Sequence, residues 1–150
     1  MIDISLIREK PEWVREQIAR LGDEKAPIED ILAADARRRE IILEVEDLRR
    51  RRNESSKQIG GWMGAIKKLE NELKLTTTTG QPAGEIESRL NALHQQMDEA
   101  KDDTRRLGDR IATLEEELRA TEAEIDEKML WVPNLPHESV PYGPDDSYNI

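Results

Sequence analysis

Arg49-Arg50-Arg51-Arg52, followed by Lys57, Lys67, Lys68 and Lys74, is the densest run of side chains with chemical reach in this 150-residue chain. Between Arg49 and Lys74 there are 8 basic and 3 acidic residues, whereas the whole chain carries a net charge of -10. A local excess of this kind suits an anionic polymer, because guanidinium and ammonium groups spaced along one face meet phosphates as point charges that position a backbone without reading bases. The bland alternative is a solvated helix face with scattered ion pairs. No constellation for catalysis competes with it. His94 and His137 lack metal-ligand spacing, and Glu115, Glu116, Glu117, Glu122, Glu124, Asp126 and Glu127 read as a solvated acidic face. Catalytic, cofactor-binding and metal residues are therefore assigned to none.

Other local patterns are weaker. Gly60-Gly61-Trp62-Met63-Gly64 superficially suggests a phosphate loop or a membrane dimer motif, but no strand precedes it and charged residues flank it, so both readings are weak. Its small residues read as letting two helices approach closely. Asn53-Glu54-Ser55 matches a glycosylation sequon but falls in the middle of a helix, in a chain that opens without a signal segment.

Composition limits the elements that can carry the basic run. With 37% charged, 36% hydrophobic and 3% aromatic residues there is little material for a globular core, so the class is long helix or coiled coil. There is no cysteine, which excludes disulfides and fits a reducing cytoplasm, the expected location. No apolar run approaches the roughly 20 residues of a membrane span, so no membrane partner is expected. Charge is uneven along the chain. Residues 37–74 carry 11 basic and 7 acidic groups, against 7 and 14 in residues 85–130.

The fold class follows from spacing. Val45, Leu48, Arg52, Ser55, Ile59, Trp62, Ile66, Leu69 and Leu73 alternate in steps of three and four. Leu90, Leu93, Met97, Ala100, Thr104, Leu107, Ile111, Leu114, Leu118, Thr121 and Ile125 keep the same rhythm. The reading is all-α: a long antiparallel two-helix coiled-coil hairpin over residues 28–130 with a tip loop at 76–84. Facing positions should then have numbers summing to about 159. This pairs Leu73 with Ile86, Leu69 with Leu90, Ile66 with Leu93, Trp62 with Met97, Ile59 with Ala100, Leu48 with Ile111, Val45 with Leu114 and Ile41 with Leu118. The polar step Arg52 and Ser55 falls opposite Thr104 and Leu107, a layer that fixes register. Gly60, Gly61 and Gly64 should soften the outer third of the first limb.

One or two short helices precede the hairpin and pack at its base. Asp3 caps a turn through Leu6 and Ile7, while Pro11 opens a helix that runs to Leu21 and ends at Gly22. That helix should bury Trp13, Val14, Ile18 and Leu21 near Ile31, Leu32 and Ile125. Residues 1–130 form one domain. Residues 131–150, with four prolines between Trp131 and Pro144, read as an extended linker toward a further domain.

Three blocks resemble the amino-terminal part of seryl-tRNA synthetases, in that family's order. They are Met1-Ile2-Asp3-Ile4-Ser5-Leu6-Ile7-Arg8-Glu9-Lys10-Pro11-Glu12, Arg52-Asn53-Glu54-Ser55-Ser56-Lys57-Gln58-Ile59-Gly60 and Val132-Pro133-Asn134-Leu135-Pro136-His137-Glu138-Ser139-Val140-Pro141-Tyr142-Gly143. The resemblance implies a helical arm that binds the long variable arm and elbow of serine tRNA and steers its acceptor end to a class II catalytic domain. It also implies a homodimer formed through that domain. The serine--tRNA ligase reaction it implies uses ATP and Mg2+, none of it on residues present here, so the segment alone is expected to be inactive. Gly61-Trp62-Met63 and the threonine-rich loop stand where relatives often carry lysine and glutamate. The tRNA contacts are therefore confined to Arg50, Lys57, Lys67, Lys68 and Lys74, with Lys101 and Arg105 on the second limb; DNA is not an expected partner. The competing reading is a structural hairpin that binds another protein and no RNA.

Overall fold

The computed structural model describes residues 3–22 and 26–135. Four helices follow in order: α1 (Ile4–Glu9), α2 (Pro11–Leu21), α3 (Ile28–Thr79) and α4 (Gly84–Met129). No strand occurs among the described residues. Contacts divide the chain into two compact units, one of residues 1–40 and 117–150, the other of residues 41–116.

In the first unit, α1 begins where the Asp3 carboxylate accepts a hydrogen bond from the Ser5 amide at 3.1 Å. Pro11 opens α2, and Gly22 closes it at φ 73°, donating its amide to Ala19 O, a left-handed cap that glycine adopts without steric cost. Ile7, Val14, Ile18, Ile28, Ile31 and Ile125 then share one buried cluster, with Trp13 and Leu32 packed against it. Leu21, expected inside, is 57% exposed. It is the last helical residue, and the chain turns away there.

Beneath this core lies an ionic knot. Asp35 is 1% exposed and accepts from Arg8 Nε at 2.6 Å and Arg8 Nη2 at 2.8 Å, which ties α1 to α3. Arg38 and Arg39 approach the same carboxylate at 3.2 and 3.3 Å. These bonds, the Arg8 pair above all, hold the Asp35 carboxyl below the ordinary carboxylate range against the opposing cost of burial.

The second unit is the heptad hairpin. Ile66, Leu90 and Met97 form a buried cluster with Ile59, Trp62, Leu69, Leu73, Ile86 and Leu93 packed on it, the layers expected from the spacing. Ser55 Oγ lies 2.8 Å from Thr104 Oγ1, a pair whose numbers sum to 159. Thr104 gives its one hydroxyl proton to Ala100 O at 2.8 Å, so Ser55 must be the donor between them. Arg49 to Glu115, at 2.6 Å, and Arg110 to Glu44, at 3.2 Å, bridge the helices five above and five below that sum, one on each edge of the seam.

Three expectations are corrected. The tip is shorter than 76–84: α3 continues through Thr79, because Thr77 and Thr78 turn their hydroxyls back to Leu73 O and Lys74 O at 2.8 Å and keep the helical path. Gly80 ends it at φ 76°, with its own amide on Thr77 O and the Gln81 amide on Thr76 O, so only residues 80–83 connect the helices. The glycines do not serve close approach either. A methyl built on Gly60, Gly61 or Gly64 meets nothing within 4 Å, since all three lie on the solvent side of α3. Finally, the chain does not become extended at Trp131. Leu130, Trp131 and Val132 donate to Glu127 O, Lys128 O and Met129 O, a tightened turn that buries Val132. The rest of the expected linker, residues 136–150, and with it His137, lies outside the described residues.

Candidate nucleic-acid interface

Heptad phase decides which cations face solvent. Arg50 and Lys57 fall opposite the seam, Lys67 and Lys74 one step round toward the edge marked by Arg49 and Glu115, and Lys68 on the other flank. All five are exposed, as are Lys101 and Arg105 on α4. The Arg49 to Glu115 bridge sets the corresponding edges of α3 and α4 side by side, so Lys67 and Lys74 share a side of this unit with Lys101 and Arg105. Lys68 does not join them. Lys57 and Lys74 are about 25 Å apart along α3 at the helical rise.

Pairing separates the seven. Arg50 is held by Asp47 one turn back, which also binds Arg51 at 3.1 Å, and Arg105 by Asp102 at 2.6 Å. By contrast, Lys57, Lys67, Lys68, Lys74 and Lys101 make no ion pair among the described residues. An unpaired, fully hydrated ammonium is available to a phosphate without first breaking a bond inside the protein; a guanidinium already shared with a carboxylate is partly neutralised. The arrangement holds positive charge at fixed positions along two paired helices.

Trp62 packs in the seam with Met97 and is only half-buried, with its indole committed to the core cluster. His94 is exposed beside the seam. Among the described residues no group of three or more His, Cys, Asp or Glu side chains is placed to hold a metal ion, and no helix is long and apolar enough to cross a membrane.

A family model described as the seryl-tRNA synthetase N-terminal domain matches residues 1–101. The chain belongs to this family. Curated relatives agree: the serine--tRNA ligase of Thermomicrobium roseum is 40% identical over 151 residues, covering 100% of this chain and 27% of the relative. Those of a Roseiflexus species and Chloroflexus aurantiacus are 35% and 37% identical over the whole chain, which covers 28% and 29% of them. The chain thus spans less than a third of the curated relatives it matches. What spacing could not show was the division between free and occupied cations. An acidic residue one turn back is no guide, since Glu54 and Asp98 stand three residues before Lys57 and Lys101 just as Asp47 and Asp102 stand before Arg50 and Arg105, and among the described residues only the arginines are paired.

Proposed function

We propose that the hairpin is the tRNA-binding arm of a serine--tRNA ligase, that Lys67, Lys74 and Lys101 with Arg105 line one side of its contact surface, and that Arg50 and Lys57 on the outward face carry it round to Lys68 on the other flank. The long variable arm and elbow of serine tRNA lie along this surface, and shape selects the RNA, since an A-form stem exposes its backbone and 2′-hydroxyls more readily than its base edges. In this reading the longer protein works in the cytoplasm as a homodimer through a class II catalytic domain, where serine is activated with ATP and Mg2+ and passed to tRNA. The observation that carries the proposal is the set of five exposed lysines that make no ion pair among the described residues, in a chain of this family whose net charge is -10.

The test is filter binding of serine tRNA to the protein and to a Lys57→Glu, Lys67→Glu, Lys68→Glu variant. Affinity should fall by about two orders of magnitude, because three phosphate contacts become repulsions. Equal affinity of both proteins removes these residues from the interface. Binding that does not distinguish a tRNA with a long variable arm from one without supports instead a hairpin built for protein partners.

A further inference from the structure

At the carboxyl end of α4 the first unit carries an apolar hollow of about 510 Å3 that its own core leaves open. Ile4, Ile125, Met129 and Leu130 line it, and Asp3, Asp126 and Glu127 lie around it. A neighbouring depression against Pro27 and Trp131 shares Glu127 with it. Two large apolar side chains here stand in water: Leu130 is 70% and Trp131 65% exposed. They are not loosely held. Three successive turn bonds and the buried Val132 fix the backbone beneath them, so the ordering entropy of docking is largely met in advance. Consecutive exposed leucine and tryptophan beside an open hollow mark a surface that a partner covers.

Charge and position narrow the partner. Asp126 and Glu127 make no ion pair among the described residues, whereas the adjacent Lys128 is taken up by Glu124 at 2.7 Å and Asp30 at 3.6 Å. The rim is therefore negative and free, which favours a segment with basic residues at its edges. Residues 136–150 carry Glu138, Asp145 and Asp146 and no lysine or arginine, so this stretch is the wrong sign. Most of the length of the curated relatives lies outside the region matched here, and the described chain ends at Leu135, which packs on this same core. A segment tethered nearby meets the hollow at high effective concentration and needs little intrinsic affinity.

We propose that Leu130, Trp131 and the hollow between α1 and α4 seat an apolar, basic-edged segment belonging to the part of the longer protein beyond this chain, which couples the tRNA-binding domain to the rest of the enzyme. This rests on the reading of the chain as part of a longer serine--tRNA ligase. The seat is read in the full-length protein labelled with 5-fluorotryptophan, with Trp131→Phe assigning the resonance by 19F NMR. The Trp131 signal should lose most of the H2O/D2O isotope shift of an exposed indole, and Asp126→Lys with Glu127→Lys should restore it at unchanged helicity. A full isotope shift in the unaltered protein overturns the proposal, as does a Trp131 that stays covered after the charge reversal. Protection that grows with protein concentration assigns the seat to a second copy and overturns it too. Serylation of tRNA separates the two readings: an active enzyme with an exposed Trp131 sinks the docking alone, and a covered Trp131 in a protein that charges no tRNA sinks the ligase reading alone.

Discussion

Asp35 shows what one buried carboxylate can organise. Its side chain is 1% exposed and takes both oxygens to Arg8, so the six-residue α1, too short to persist alone, is anchored to α3 by a two-pronged bond. Because Arg8 and the surrounding arginines lower the Asp35 pKa below the ordinary carboxylate value, folding gains from its ionised form. That gain is fully present above the unfolded-state pKa and is lost as pH falls through the lower, folded-state value. Asp35→Asn should therefore cost about 3 kcal/mol in urea unfolding at neutral pH, with the three guanidinium groups left facing a neutral amide. It should also flatten the acid limb of the stability profile; an unchanged acid limb would show that Asp35 does not control it. Nothing in the sequence announced this cluster. Arg8 and Asp35 stand 27 residues apart, with no period or motif joining them, whereas the cap at Asp3, the stop at Gly22 and the burial of Val14 and Ile18 on α2 were legible because each is a local signal.

At the scale of the helices, register was the most legible property. Antiparallel heptads allow only facing numbers with a constant sum, and Ser55 with Thr104, flanked by the bridges Arg49 to Glu115 and Glu44 to Arg110, meets that rule on the seam and on both edges. Helix ends were less legible, because threonines read as loop formers keep their backbone helical when their hydroxyls bond back to the preceding turn. The glycines were misread for a related reason: composition shows that a position is small without showing what stands in front of it. With open solvent before Gly60, Gly61 and Gly64, their only energetic effect in this fold is the entropy each loses on becoming helical. Replacing each by alanine should raise stability by about 1 kcal/mol per site. The thermal midpoint of the triple variant should rise accordingly, and a fall would mean that a contact with the bare backbone stabilises the protein as it stands.

Across the whole molecule the balance of charge decides how an acidic protein can hold an acidic polymer. The net charge of -10 repels RNA at long range, so attraction must come from cations close enough to the phosphates to outweigh the distant carboxylates. On the proposed reading the second unit meets that requirement with five lysines that make no ion pair among the described residues, while most of the arginines around them are paired within one turn or across the seam. Binding should therefore behave as a small, countable set of phosphate contacts. If all five lysines each displace one counterion, affinity should fall about tenfold to twentyfold for each doubling of salt concentration. Lys68→Gln should lower the slope of log affinity against log salt by about one without altering the preference among tRNAs, since a phosphate contact carries no sequence information. Arg50→Gln should lower it less, because Asp47 already shares that charge. Equal reductions in the two variants would mean that paired and unpaired cations serve RNA alike, and a slope unchanged by Lys68→Gln would take that lysine out of the interface.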